Sequence, residues 1–292
     1  MAMRKPEWLH IKRTGIHDAN IATERLIQKL NLHTVCESAR CPNKGECFNN
    51  QTATFMILGD VCTRNCTFCA VSKDKDLLLK PDEQEPQRIA EAVKVLQLDY
   101  VVLTMVTRDD LEDGGAEHLI KVIQAIRSLY KTDVAIEILI SDLQGSAFYL
   151  RKIIDTDPTV FNHNIETISR LYPQVRPQAN YQRSLHLLKA AKEYNQNMLT
   201  KSGFMVGLGE SETEVISLMR DLLSVQVDLL TIGQYLAPSK DHHPVFEYIT
   251  PEKFTFYRQT ALNLGFKECF SGPFVRSSYK ARNALYIKKN QC

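Results

Sequence analysis

"YVVLTMVTRDDLEDGGAEHLIKVIQAIRSL", residues 100 to 129, carries the pattern that decides the fold. Its first part, "YVVLTMV" (100–106), is a nearly unbroken apolar run without the apolar–polar alternation of a half-solvated strand. Such a run predicts a strand covered on both faces, which is the habit of parallel sheets. After a polar loop, Leu119, Val122, Ile123, Ile126 and Leu129 recur at helical spacing over 115–130. Strand, loop and amphipathic helix make one βα unit, and a parallel neighbour needs that crossover to return the chain.

The unit repeats on both sides. Strands are predicted at 54–59, 134–140, 159–165, 198–207 and 228–236, and helices at 86–98, 145–154, 181–194, 211–225 and 251–264, the last opened by Pro251. Six βα units are too few for a closed eight-fold barrel and fit a curled, open one. The fold class is therefore α/β, a partial (βα)6 barrel, with its chemistry at the carboxyl ends of the strands. A short helix is expected at 20–30, and "KECFSGPFVRSSYKAR" reads as a strand followed by a polar tail. The chain divides into an N-terminal extension (1–52), the barrel (53–266) and a C-terminal extension (267–292).

Bulk properties narrow the partners. The net charge is +2, with no long Lys or Arg run, so neither nucleic acid nor an anionic membrane is an expected partner. No apolar stretch reaches the ~20 residues of a membrane span, and "MAMRKPEWLHIKR" has no apolar core after its charges. The expectation is a cytoplasmic monomer.

Six of the eight cysteines lie between 36 and 69. In a long chain with no export signal, such clustering points to metal or catalysis before disulfides. Cys62, Cys66 and Cys69 form one triad, in the loop after the first predicted strand and so at the active mouth of the barrel. Cys36, Cys41 and Cys47 form another. Structural zinc takes four protein ligands, so each triad would have to borrow one, and pooling them gives too many. A cubane iron–sulfur cluster takes one thiolate per iron, so three cysteines leave one iron open to an outside ligand.

The C-x3-C-x2-C spacing with an aromatic, Phe68, before the last cysteine resembles the signature of the radical S-adenosylmethionine enzymes, whose fold is also a partial βα barrel. Within them the chain is similar to the lipoyl synthase family in "RKPEWLHIK" (4–12), the C-x4-C-x5-C of 36–47, "ATFMILGDVCTRNCTFCAV" (53–71), "TRDDLEDGGAEH" (107–118), "FNHNIETISRLYPQVRPQANY" (161–181), "KSGFMVGLGE" (201–210) and "GPFVRSSY" (272–279). The resemblance spans nearly the whole chain. It implies two [4Fe–4S] clusters. Cys62, Cys66 and Cys69 would hold the one that S-adenosylmethionine chelates, reductive cleavage giving a 5′-deoxyadenosyl radical. Cys36, Cys41 and Cys47 would hold an auxiliary cluster, with Ser278 as its fourth ligand and Ser277 as the runner-up. The implied substrate is an octanoyl-lysine on a lipoyl carrier domain, either a dehydrogenase-complex E2 subunit or the glycine cleavage H protein. Sulfur from the auxiliary cluster enters at C6 and C8. A flavodoxin or ferredoxin would supply electrons, and an iron–sulfur carrier would rebuild the spent cluster. Unactivated C–H bonds call for a radical because no side-chain base removes such protons.

Further cofactor contacts are expected at Gly114 and Gly115, which let backbone approach a ligand, at Asn164 and Glu166 near the end of the fourth strand, at Lys201, and at Arg176, whose fork suits a carboxylate. Each has a plainer alternative: a turn and helix start for the glycines, a helix cap for Asn164 and Glu166, solvent exposure for Lys201, a surface salt bridge for Arg176. His163 reads as a satisfied core residue. Arg276 is expected to bridge to the cluster region. The pattern departs from relatives at Lys280, where many carry His after RSSY, and in "SKDHHPV", where Asp241 precedes His242 and His243. Neither departure is expected to touch a cluster ligand. Cys269 is expected in the core and Cys292 in the tail. Other sulfur-inserting radical enzymes, such as biotin synthase or methylthiotransferases, remain the alternative within the chemistry, and a zinc-stabilised binding module the one outside it.

Overall fold

The computed structural model describes residues 4–10, 18–38, 41, 43, 54–129 and 134–289. Within these, eight strands form one sheet in sequential order: β1 (His33–Thr34), β2 (Thr54–Ile57), β3 (Tyr100–Met105), β4 (Ala135–Leu139), β5 (Val160–Asn162), β6 (Leu199–Val206), β7 (Leu229–Gln234) and β8 (Glu268–Gly272). β2 to β8 run parallel, and only the two-residue β1 is antiparallel, against β2. Among the described residues β1 and β8 do not pair, so the barrel is open.

The helices are α1 (Asp18–Lys29), α2 (Val35–Ser38), α3 (Glu85–Val95), α4 (Ala116–Leu129), α5 (Ala147–Ile154), α6 (Tyr172–Val175), α7 (Tyr181–Tyr194), α8 (Glu212–Ser224), α9 (Pro251–Leu264) and α10 (Ala284–Lys289). The six expected βα units are present between β2 and α9. Among the described residues no helix is long and apolar enough to cross a membrane.

The parity of each strand explains its unbroken apolar run. Val101, Leu103, Ile136, Ile138, Phe161, Phe204, Leu230 and Ile232 join the large core beneath the helices. Residues of the other parity face the barrel axis and are sorted by height. At the strand starts, Tyr100, Val102, Ala135, Val160, Leu199 and Leu229 form a second apolar cluster. Above it lies a buried polar layer: Lys201 Nζ donates to Glu137 Oε1 (2.8 Å), Asn162 Nδ2 to the same oxygen (2.9 Å), and Tyr100 Oη to Glu137 Oε2 (2.7 Å). Above that layer the axis opens into a cavity.

Three features depart from the sequence reading. The strand expected over 159–165 ends at Asn162, because the regular ladder to β6 breaks there and resumes only as a single bridge from Glu166, at φ 65°, to Phe204. The tail expected to be merely polar ends in α10, with Ala281 and Ala284 joining the lower apolar cluster and closing the bottom of the barrel. β8 extends the same sheet, so the proposed C-terminal extension begins inside it. Residues flanking the sheet also meet across its open side: Asn43 Nδ2 donates to the Phe274 carbonyl at 2.7 Å.

Candidate functional site

β2 ends in a left-handed turn, Leu58 (φ 69°) and Gly59 (φ 82°), that launches the 62–69 loop. Leucine pays for that conformation with strain, and its surroundings hold it there. The buried Glu85 Oε2 accepts the Leu58 N–H at 2.9 Å and lies 2.6 Å from His118 Nε2. The Leu58 side chain packs where Gly115 leaves room, since a Cβ on Gly115 would sit 2.3 Å from Leu58 Cδ1.

The loop is tied to four other strand-end segments. Thr63 N donates to the Thr107 carbonyl at 2.9 Å. Arg64 reaches Asp109 and Asp142. Asn65 N donates to Gln178 Oε1. Thr67 N and Oγ1 donate to Val175 O (3.0 Å) and Gln174 O (2.9 Å). From the far side, His243 N donates to Thr67 O at 3.0 Å, and His242 Nε2 lies 3.2 Å from the Cys69 carbonyl. Asp241, the departing residue, bonds within its own loop to Ser239, while the neighbouring His242 approaches the backbone carbonyl of Cys69, one of the expected cluster ligands. The loop after β7 folds back across the mouth, a contact that local sequence does not encode.

A cavity of about 620 Å³ opens over the polar layer, within the usual range for small-molecule sites. Cys62, Cys66, Cys69 and Phe68 line it, and so do Cys36, Cys41, Ser277 and Ser278. The two cysteine groups and the serine pair thus share one chamber, although residues 36 and 278 stand near opposite ends of the chain. Cys47, the third member of its triad, and Cys292 lie outside the described residues. None of the described cysteines forms a disulfide. Among the described residues no three His, Cys, Asp or Glu side chains converge on a single ion.

The C-terminal segment reaches the chamber by passing inside the barrel. Gly233 makes this possible, because a Cβ there would lie 2.1 Å from the Val275 carbonyl oxygen. Asn164 Nδ2 donates to Ser277 Oγ at 2.5 Å. Ser277 is therefore engaged by a neighbour, and Ser278 stands beside it on the wall.

Of the other expected contacts, Asn164, Glu166, Arg176 and Arg276 line the chamber. Arg176 is buried, not a surface ion pair. Its Nη1 donates to the Asn164 carbonyl (3.1 Å) and Tyr172 Oη (3.0 Å), while Nε has no partner within the protein. Asn164 Oδ1 is likewise unpartnered. Two buried polar atoms without partners at one cavity wall are what a polar ligand would satisfy. Gly203 helps keep that space open: a Cβ there would meet Thr231 Oγ1 at 2.2 Å and Asn164 Oδ1 at 3.0 Å.

Gly114, Gly115 and Lys201 do not line the chamber. The glycines, both at positive φ, admit Leu58 and Leu143. Lys201 belongs to the polar layer below, bound to Glu137. His163 is a satisfied core residue, with Nδ1 2.8 Å from Ile140 O and Nε2 2.9 Å from Ser184 Oγ, and burial pushes its pKa down to about 4. Cys269 is fully buried, as expected. Thr63, Arg64, His242 and Asn43 are site residues that the sequence reading left without a role. Only Arg64, a charge between two cysteines, carries a local signal.

Burial dominates the electrostatics. It pushes the Cys69 thiol up to about 12 and raises Cys66 and Cys41, with the Arg176 charge opposing the rise at Cys66 and Arg276 opposing it at Cys41. Half-buried thiols raised in this way hold their protons until a cationic centre takes the proton's place. Thiol donors on a loop and a wall, unmet polar atoms and open space together fit an iron–sulfur centre with a polar ligand beside it.

The description "Radical SAM superfamily" matches residues 56–222. The chain is 52% identical to a lipoyl synthase of Caldicellulosiruptor saccharolyticus over 290 residues, 98% of this chain and 99% of that one. It is also 52% identical to a lipoyl synthase of Caldanaerobacter subterraneus subsp. tengcongensis, covering 99% of this chain and all of the relative. Among solved structures, HydG, a maturase of the [FeFe]-hydrogenase, superposes with TM-score 0.61 at 14% identity over 80% of this chain and 54% of its own. Methylornithine synthase (PylB) gives 0.57 at 15% identity over 92% and 79%. These two likenesses speak for the fold alone.

Proposed function

Because the chain belongs to the radical SAM superfamily and, within it, to the lipoyl synthases, we propose that it inserts two sulfur atoms, at C6 and C8, into an octanoyl chain carried on a lysine of a lipoyl carrier domain. The observation that carries this reading is the shared chamber, which brings the described cysteines of both triads to one space with Ser277 and Ser278. When bound, the two [4Fe–4S] clusters and S-adenosylmethionine supply the 5′-deoxyadenosyl radical and the sulfur.

In this reading Cys62, Cys66 and Cys69 hold the first cluster, and Cys36, Cys41, Cys47 and Ser278 the second. The extensions (1–52 and 267–292) then each supply part of the second site around the barrel (53–266). Arg176 offers its unpartnered Nε to the carboxylate of S-adenosylmethionine, and Asn164 and Glu166 line the same wall. Phe68 shields the open side of its triad. Below, the Glu137–Lys201 layer and the apolar plug keep bulk water from a radical reaction that it would divert. The electron donor is a flavodoxin or ferredoxin, and an iron–sulfur carrier rebuilds the consumed cluster. The chain's compartment in this reading is the cytoplasm, whose reducing conditions keep cysteine thiols available as metal ligands.

Anaerobic reconstitution followed by iron and sulfide analysis tests the cluster count, with about eight irons per chain expected from two cubanes. Incubation with an octanoylated carrier peptide, S-adenosylmethionine and reductant should add the mass of two sulfur atoms. No sulfur gain from protein whose clusters are intact would reject the reading.

A further inference from the structure

Arg64 stands between Cys62 and Cys66, and no step above uses it. Its side chain is 4% exposed. Nε donates to Asp109 Oδ2 at 2.7 Å, and Nη2 donates to Asp109 Oδ1 at 2.9 Å and to Asp142 Oδ1 at 2.6 Å. Asp109 lies in the loop after β3 and Asp142, fully buried, in the loop after β4. The adjacent Thr63 reinforces the tie: its hydroxyl donates to the Thr107 carbonyl at 2.9 Å and accepts the Asp109 N–H at 3.0 Å. One spacer side chain thus joins the cysteine loop to two strand ends.

A buried ion pair of this kind adds little net stability over apolar packing. What it does supply is geometry. A planar guanidinium gripping one carboxylate with two bonds and a second with a third leaves its backbone little freedom. A loop not held in this way loses its backbone freedom only when the ligand binds, and that entropy cost weakens binding.

We propose that Arg64 is a positioning residue for the three thiols, holding the 62–69 loop in its ligating shape before any cluster arrives. This rests on the reading of that loop as the first cluster site. The test uses the full chain with Arg64→Lys, which keeps the charge and loses the fork, Arg64→Gln, and the milder Asp142→Asn. Hydrogen exchange of amides 62–69 is measured in cluster-free protein, against the amides of α4 as reference. Iron loss to a chelator is measured after reconstitution in a background with Cys36, Cys41 and Cys47 changed to Ser.

The two Arg64 variants should exchange at 62–69 about tenfold faster or more, with α4 unchanged. They should release iron faster by a similar factor, and Asp142→Asn should move both readouts part of the way. Unchanged exchange at 62–69 in both Arg64 variants would overturn the proposal. So would exchange that rises equally across α4, since Arg64 would then serve general stability. If Arg64→Lys and Arg64→Gln fail to fold, Asp142→Asn decides by the same two readouts. Should the unvaried loop hold no cluster in the triple-serine background, the proposed function fails, while the exchange result still decides the role of Arg64.

Discussion

At the residue scale, Gly115 is explained by Leu58 and not by a ligand. The glycine sits at φ 91°, and any side chain there would meet Leu58 Cδ1. Gly115→Ala is therefore expected to cost about 1–3 kcal/mol from overpacking, more with the backbone strain. A urea melt reads the loss, and Leu58→Ala in the same chain should recover part of it by removing the clash. If Gly115→Ala were neutral, the packing account of the motif would fall. Arg176 makes the opposite kind of claim. Its guanidinium is already positioned by Asn164, Ile165 and Tyr172, with Nε left over. Arg176→Lys should weaken S-adenosylmethionine binding about 10- to 100-fold, the 1.5–3 kcal/mol of a charge-assisted bond. Equilibrium dialysis measures it, and unchanged affinity would remove Arg176 from the site.

At the scale of elements, Asp228 joins three of them. Just before β7, it accepts from Lys192 of α7 (2.7 Å), from Lys267 just before β8 (2.7 Å), and from the Thr200 N–H of β6 (2.8 Å). Burial alone would raise this carboxyl, but the two lysines and the amide outweigh it and hold the pKa below the ordinary 3.8. A lowered carboxylate contributes stability that is present in full above its unfolded value and lost as pH falls through the folded one. Asp228 should therefore add nothing to the pH dependence between pH 8 and 5, and its share should disappear only below about pH 4. Asp228→Asn takes the carboxylate partner from the buried Lys192, leaving its ammonium the Met198 carbonyl at 2.9 Å, and a loss of about 3 kcal/mol is expected at pH 7. The gap between the two melts should close as pH drops below 4. How far the elements were legible follows from the same side chains. The strands stood out because both of their faces meet apolar surface, Val102 inward and Leu103 outward. The fourth strand reads too long because Asn164 and Glu166 continue its alternation, whereas the regular ladder breaks after Asn162 and resumes only at the Glu166–Phe204 bridge. α10 is hard to read from sequence because it has only six residues and its fully buried contribution to the barrel floor is the single Ala284, with Leu285 and Ile287 partly buried beside it. That Cys62, Cys66 and Cys69 sit together at the mouth of the barrel was legible from their spacing after the first strand. Arg64 and His242 were not, because their partners come from other loops.

At the scale of the whole molecule, the open sheet is bridged by the segments flanking it. Asn43 of the N-terminal side holds the Phe274 carbonyl of the C-terminal side, and the latter carries Ser277 and Ser278 along the inner face of β7, past Gly233. Cys36 and Cys41 arrive from one end of the chain and Ser278 from the other, meeting on one wall. If they complete a single cluster, losing either contribution should lose the same thing. Cys41→Ser and Ser278→Ala are each expected to retain about four irons after reconstitution and a chelator challenge, and the double variant should retain the same about four. Such non-additivity is the mark of groups serving one site. Ser277→Ala, which removes only the acceptor for Asn164, should keep about eight. An oxygen ligand differs from a thiolate in softness, so Ser278→Cys should hold the second cluster more firmly while slowing sulfur transfer from it. Iron retention and single-turnover sulfur insertion would then move in opposite directions, a pairing that loss of fold cannot produce.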